Sequence, residues 1–237
     1  MAMQQPRNDN VPSKVLTGEV GPLDIMGTLV SFQRSKHLFC EGEPAEYLYR
    51  LASGIARGYR MNSEGRRQIV AFYMPGELFG FELDCDHSFS VEVASNAKVR
   101  MIRLSALSAI KAQDLAKELR ISLARELRRN QDHIRRLGQT AQERVSSFLL
   151  EIAQRTPNNG TIDLVMSRQD IADYLGLTIE TISRTLTHIT RIGAITISRA
   201  RRVTIRDPDL LSWLSAGCPV PKLAPHPLGK LLSLGVS

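Results

Sequence analysis

Between Gly27 and Ile102 the apolar positions fall into short alternating segments, HLF, YLYRLA, IARGYRM, QIVAFYM and VEVAS, punctuated by Gly42, Gly54, Gly65, Gly76 and Gly80. Alternation with period two sends successive side chains to opposite faces. Short strands at this turn spacing predict a compact antiparallel β-domain, a roll or barrel. Within it, MNSEGRR separates two strand-like runs and reads as a hairpin tip, with Gly65 supplying the positive φ that the turn requires.

The period changes near residue 105. SALSAIKAQDLAKELRISLARELRRNQDHIRRL contains neither Pro nor Gly and carries helical periodicity up to Gly138. Leu123, Leu127, Asn130, Ile134, Leu137 and Ala141 recur at alternating intervals of four and three, a narrow stripe. Such a stripe also suits one face of a core helix. Against that, Arg120, Arg125, Arg128, Arg129, Arg135 and Arg136 leave little apolar surface for a second contact, and a partner helix explains the seam better. A parallel homodimer is predicted, with Asn130 setting register and pair number at some expense in stability.

From about 140 to 207 the pattern is mostly short helices followed by AITISRARRVTIRD, an alternating strand pair with a basic tip. Ser167 precedes RQDIADYL, where Ile171, Ala172 and Leu175 form an apolar face and Ser167 can cap the first turn. Gly176 stops that helix, Thr178 is a second N-cap candidate, and IETISRTLTHITRI follows with Ile182, Leu186 and Ile189 inward. Two short helices joined by a three- or four-residue turn containing Gly form a helix–turn–helix, whose second helix can enter the DNA major groove.

The polar face of that second helix carries Glu180, Ser183 and Arg184. The planar fork of Arg can bond guanine O6 and N7 together, a Glu can accept from the cytosine amino group, and Ser can bond a base or touch a thymine methyl. Ser167, Arg168, Gln169, Thr178 and Thr181 are donors near helix N-termini, where phosphates are favoured, and Arg199, Arg201 and Arg202 on the strand tip could grip the adjacent backbone. An exposed Glu with an Arg four residues later also makes an ordinary helix pair worth about 0.2–0.5 kcal/mol. The turn, the basic tip and the upstream dimer helix favour the DNA-reading role.

Composition narrows the classes. The chain has 237 residues with 31 Lys plus Arg against 24 Asp plus Glu, a formal charge of +7, and a pI near 9.6, so polyanions are the first partners to test. Cys40, Cys85 and Cys218 are odd in number and far apart, which suggests neither a disulfide framework nor a metal centre. Cys40 and Cys85 are expected to pack in the β-domain, as partly buried His87 should, and Cys218 to be exposed. His37, His87, His133, His188 and His226 are scattered, so no catalytic site, cofactor or metal is expected. No signal peptide or membrane-length apolar run is visible, so the expected location is cytoplasmic, with no membrane partner.

GEPAEYLYRLASGIARGYRMNSEGRRQIVAFYMPGELFG, the long helix and SRQDIADYLGLTIETISRTL with its basic tip together resemble the CRP/FNR family of bacterial transcription regulators over about residues 28 to 207. Glu180, Ser183 and Arg184 match the E-x-x-S-R pattern of the FNR branch. The cyclic-AMP branch has Arg just before the Glu, where this chain has Ile179. FNR-type oxygen sensors carry an N-terminal cysteine cluster, whereas the first 39 residues here contain no Cys. Cyclic-AMP receptors hold the nucleotide phosphate with an Arg-Ser pair, and HSFSVEVAS offers His87 and Ser88 there instead. The combination is similar to FixK-type regulators.

That resemblance implies an α+β architecture: a flexible arm over 1–24, a β-roll of cyclic-nucleotide-binding type over 25–112, a dimerisation helix over 113–138, a winged helix–turn–helix domain over 139–210, and a short helix near Trp213 with a loose tail over 211–237. It implies a homodimeric activator of micro-oxic, respiratory or nitrogen-fixation genes that binds double-stranded DNA at a palindrome like TTGAT-n4-ATCAA, without a small-molecule effector. It also implies RNA polymerase as a partner, touched through Asn62, Ser63, Glu64 and Gly65 or through the loop at about 155–160, although both also suit plain surface turns. The rival readings are an effector-gated member of the family and a nucleotide-binding regulatory module that does not read DNA.

Overall fold

A computed structural model describes residues 21–217 except 83, 137, 157–159 and 199–200. The first element is a helical turn, α1 (Pro22–Ile25), which buries Leu23 against Leu48, Leu78 and Ile102. Its Asp24 pairs with Arg50, which also bonds Glu118. The arm expected over 1–24 is therefore corrected at its end: an apolar anchor and an ion pair fix residues 22–24, while 1–20 lie outside the described residues.

The β-roll is two four-stranded antiparallel sheets. One has the order β1 (Thr28–Phe32), β8 (Ala97–Arg103), β3 (Tyr47–Ser53), β6 (Leu78–Phe79); the other has β2 (His37–Phe39), β7 (Ser90–Val93), β4 (Ala56–Met61), β5 (Arg67–Tyr73). Alternate residues of both sheets meet in a core that includes Phe39, Tyr49, Leu51, Tyr73, Phe79, Val91 and Val99. The β4–β5 tip turns at Gly65, φ 73°, and the Asn62 carboxamide accepts from the backbone N–H groups of Glu64 and Arg66 at 3.0 and 2.8 Å. A side-chain acceptor two and four residues from its donors holds this tip in one shape. Cys40 is half-buried, but Cys85 is exposed, contrary to the sequence expectation. Its carbonyl accepts from Ala45 N–H at 2.7 Å, so the backbone is pinned to the roll while the thiol faces out.

A 3-10 helix (Leu104–Ala109) leads into the long helix α2 (Ala112–Arg136). Two features of the sequence reading are corrected here. Ala141 does not continue the stripe, because α2 stops at Arg136 and Thr140 caps a new helix, α3 (Ala141–Arg155), in a reciprocal box with Glu143. Leu137 lies outside the described residues. The arginines of α2 also do not all face water. Arg129 lies over the Tyr73 ring at 4.9 Å and pairs with Glu77 and Glu126, while Arg136 lies over the Tyr174 ring at 5.1 Å and pairs with Glu151. Guanidinium planes stacked on rings and tied to carboxylates can pack where an apolar residue would be expected. Thus α2 has a second contact face.

The C-terminal unit comprises α3, β9 (Thr161–Asp163), α4 (Arg168–Leu175), α5 (Ile179–Arg191), β10 (Ile195–Ser198), β11 (Arg202–Ile205) and α6 (Pro208–Ser215). The three strands form one sheet of order β10-β11-β9. The core of this unit, with Phe148, Leu149, Ile152, Ile171, Ile182, Leu186 and Ile189, is continuous with Ile69, Phe72 and Met74 of the roll. The β5 strand thus has two buried sides, one for each unit. Arg155, placed by the sequence reading at the start of a polymerase-facing loop, ends α3 instead and bonds Glu77, Glu151 and the Phe72 carbonyl. Asp207 caps α6, which carries Trp213; Cys218 and the rest of the tail lie outside the described residues.

Candidate nucleic-acid interface

Two caps and one left-handed residue shape the helix–turn–helix. The Ser167 hydroxyl accepts from Asp170 N–H at 3.0 Å, and the Asp170 carboxylate accepts from Ser167 N–H at 3.0 Å, closing the box that starts α4. Gly176 ends α4 at φ 63°, ψ 42°, with its N–H and that of Leu177 returning to the Ala172 carbonyl. That conformation penalises any side chain with a Cβ. Thr178 then caps α5, accepting from Thr181 N–H at 3.2 Å. The turn is only Gly176, Leu177 and Thr178, so the direction of α5 follows directly from the end of α4.

Ile182, Leu186 and Ile189 are buried, which fixes the rotation of α5 about its axis. Glu180, Ser183 and Arg184 are consequently exposed together on the opposite side. Glu180 is held below the usual carboxylate range by hydrogen bonding at its own backbone N–H and to the Thr178 hydroxyl, with attraction from Arg184 added. It remains an acceptor at neutral pH. Arg184 makes no hydrogen bond or ion pair among the described residues, so the ordinary Glu–Arg helix pair is not closed. The Ser183 carbonyl accepts from the Thr187 hydroxyl at 2.9 Å.

The residues proposed from sequence to hold phosphates divide. Thr178 and Thr181 bond each other at 3.0 Å, and Gln169 donates to Asp173 at 2.6 Å; all three remain at the solvent edge of the unit. Ser167 is used in its cap. Arg168 is half-buried, and burial lowers its pKa from the usual value. On the strand tip Arg201 is exposed, Arg202 pairs with Asp163 at 2.7 Å, and Arg199 lies outside the described residues. Asn62, Ser63, Glu64 and Gly65 are exposed at the roll hairpin.

Sequence reasoning missed two features. Thr187, His188 and Arg191 extend the exposed face of α5 toward its C-terminus, at the helical spacing from Ser183 and Arg184 that would have exposed them. Asp170, the third helical residue of α4, joins the reading unit to the roll: it receives Arg57 Nη1 at 2.6 Å and Arg67 Nη2 at 2.7 Å, and Asp173 receives Arg67 at 2.9 Å. The sequence signal was the S-x-x-D capping box, but its cross-domain partners are over 100 positions away.

Comparison with known proteins decides the family. Residues 29–114 match the cyclic nucleotide-binding domain, and residues 143–213 match the Crp-like helix–turn–helix domain. The nitrogen fixation regulation protein FixK of Azorhizobium caulinodans is 42% identical over 199 residues, covering 81% of this chain and 80% of that protein. The chain belongs to the FixK branch of the CRP/FNR family. FixK of Rhizobium meliloti is 34% identical and matches 86% of this chain and 95% of its own length. The solved structure of FixK2 from Bradyrhizobium japonicum superposes with a TM-score of 0.76 at 40% identity, covering 82% of this chain and all of that one. The protein is a DNA-binding transcription regulator with the roll, long helix and helix–turn–helix of its family, and it is not an enzyme.

A cyclic-nucleotide-binding domain implies a nucleotide, and the residues of the roll interior do not fit one. A buried phosphodiester needs charge-assisted donors such as a guanidinium. Here the buried His87 ring stacks on Phe39 with centroids 3.6 Å apart, and its Nδ1 lies 3.3 Å from the Glu82 carboxylate. Tyr49, Phe79 and Tyr73 stack alongside. Among the described residues the surroundings of His87 present rings and a carboxylate, and the guanidinium over Tyr73, that of Arg129, is already held by Glu77 and Glu126, where a phosphate receptor would need uncommitted positive charge.

Proposed function

We propose that the protein is a homodimeric transcription activator that reads a TTGAT-n4-ATCAA-like palindrome in the cytoplasm without a bound effector. The observation that carries this reading is the capped α5, which leaves Glu180, Ser183 and Arg184 exposed together, with Arg184 making no hydrogen bond or ion pair among the described residues. Arg184 and Glu180 then read the inner G·C pair of each half-site, and Ser183 lies beside them. Arg201 and Arg202 with Thr178, Thr181, Gln169 and the α4 N-terminus hold the backbone.

The seam supports the dimer. Leu123, Leu127 and Ile134 are 50%, 60% and 67% exposed, and Asn130 is exposed on the same stripe. Three large apolar residues in one exposed row call for a partner helix, and an identical one places two α5 helices for major grooves about one turn apart. RNA polymerase is the further partner, with Asn62, Ser63, Glu64 and Gly65 as the candidate contact. The two FixK relatives are nitrogen fixation regulation proteins, which supports genes of micro-oxic or respiratory metabolism and nitrogen fixation as targets.

The test is selection of bound sequences from a random DNA pool by the purified, ligand-free protein, repeated with Arg184→Ala. The wild type should return the palindrome. Arg184→Ala should lose about 1–3 kcal/mol per half-site and its preference at the G·C pair. Equal losses on specific and random DNA would demote Arg184 to a phosphate contact, and recovery of the palindrome only with added nucleotide would favour the effector-gated reading.

A further inference from the structure

Away from the DNA-facing helix, a cavity of about 60 Å³ lies where the roll, the long helix and the helix–turn–helix meet. Its wall includes Gln68 from β5, His133 and Arg136 from the last turn of α2, Arg144 from α3, Asp173 from α4, and Gly176, which caps α4. A buried water needs about 10–15 Å³, so the space exceeds one water.

The wall chemistry is donor-rich and incompletely matched. His133 Nδ1 and Arg136 Nη1 are buried with no hydrogen-bond partner among the described residues. Arg136 is only 6% exposed, and its orientation is fixed by the Tyr174 ring and by Glu151 on its other nitrogen. A buried donor left unmatched is destabilising, more so on a charged group. Arg144 adds a second guanidinium, donating to the Gln139 and Leu175 carbonyls at 2.9 and 3.0 Å. Among the described residues of the wall the carboxylate is Asp173, already held by Arg67 and Gln169. Burial, then Arg136 and Arg144, lower the pKa of His133, so the imidazole is neutral and can donate from Nδ1 in one tautomer.

We propose that this cavity binds a compact oxyanion, a carboxylate, nitrate or phosphate, between Arg136 and His133. Its walls come from every part that must stay in place for α5 to keep its direction, and Gly176 is two residues from the α5 cap. An anion there ties the roll and long helix to the helix–turn–helix, and linkage requires it to change DNA affinity by the same factor by which DNA changes anion affinity.

The test uses the full-length protein at constant ionic strength, with chloride replaced stepwise by acetate, nitrate or inorganic phosphate. At least one probe should raise the melting temperature with saturation, and the ¹⁵N shifts of the His133 ring should move with the same midpoint. Gln68→Trp, which fills the cavity from an exposed rim, and His133→Leu should abolish the saturation. A rise that is linear, alike for all anions and unchanged in both variants is a general salt effect and overturns the site. No rise and no ring shift with any probe leaves the cavity to water and overturns it equally. The wild-type ring shifts decide the matter should either variant fail to fold. The DNA coupling rests on the function proposed above and is read as a shift in palindrome affinity at the anion midpoint. An unchanged affinity at saturating anion refutes the coupling, whereas failure to bind the palindrome at any anion concentration strikes the proposed function and leaves the thermal result to judge the site.

Discussion

Asp170→Asn removes one charge, keeps the side-chain shape, and tests how firmly the reading unit is tied to the roll. Asp170 is 2% exposed and accepts from Ser167 N–H, Arg57 and Arg67 at 3.0, 2.6 and 2.7 Å. Removing one partner of a buried ion pair costs about 3–5 kcal/mol. Two features reduce that figure. Glu92 still holds Arg57, and Asp173 still holds Arg67. The carboxamide oxygen can also keep one of the bonds, so the expected loss is about 2–3 kcal/mol, near the value of one or two charged hydrogen bonds. Urea denaturation at pH 7 and fixed protein concentration measures it. The pH dependence gives a second reading. Burial alone would raise the Asp170 pKa, but the Ser167 hydrogen bonds and then the attraction of Arg57 and Arg67 outweigh it and hold the value below 3.8. A depressed folded-state pKa contributes stability that is present above the unfolded value and lost as pH falls through the folded one. The gap between wild type and Asn variant should therefore be widest near neutrality and close on acidification. A loss under about 0.5 kcal/mol at pH 7, typical of a surface substitution, or a gap that stays constant down to pH 3, would refute the reasoning.

Other substitutions test the remaining links. Ser183→Asp places a carboxylate between DNA phosphates and the guanine edge, so palindrome binding in a fluorescence anisotropy titration should collapse; unchanged affinity would place Ser183 away from the interface. Leu127→Glu puts a charge into the exposed seam and should shift sedimentation toward monomer, with palindrome affinity falling in step; an unaltered dimer would move the interface elsewhere. Gly176→Ala forces a Cβ into the left-handed region and should cost about 1–2 kcal/mol of stability in urea. The added methyl meets Arg144 Nη1 at 3.6 Å, an ordinary contact, so the loss should come from the backbone alone.

What the sequence made legible was local. Gly65, Ser167, Gly176 and Thr178 act within a few residues of themselves, and each occupies the turn or cap its chemistry specifies. The spacing of Ile182, Leu186 and Ile189 fixed which side of α5 faces out for the same reason. The failures were long-range. No periodicity tells that Arg57 and Arg67 meet Asp170, or that Glu77 gathers Arg129 and Arg155, because those partners lie 52 to 113 positions apart. The end of α2 was missed for a different reason: the four-three rhythm of the stripe runs on through Ala141, while the Thr140 capping box breaks the helix beneath it.

The arginines of α2 show why an amphipathic pattern can understate contact. Reading Arg as solvent-facing left the long helix with only its Leu123–Ala141 seam to bury. In the fold, Arg129 and Arg136 cover the Tyr73 and Tyr174 rings, one belonging to the roll and the other to α4. Through Glu77 and Glu151 the same guanidiniums connect with Arg155 at the end of α3. The long helix therefore has two faces of different chemistry: an exposed apolar row, which the proposed dimer would cover, and a row of charges that sets the position of the helix–turn–helix. Polar contacts suit that positioning, since each guanidinium donates its hydrogen bonds only in defined directions, whereas an apolar face would tolerate sliding. Converting Arg129 or Arg136 to methionine should keep part of the burial and lose the orientation; the carboxylates left behind stay held by Arg155, so palindrome affinity should fall by more than the lowered urea midpoint accounts for. A midpoint that falls as far as the affinity would show instead that these residues act only by holding the fold together.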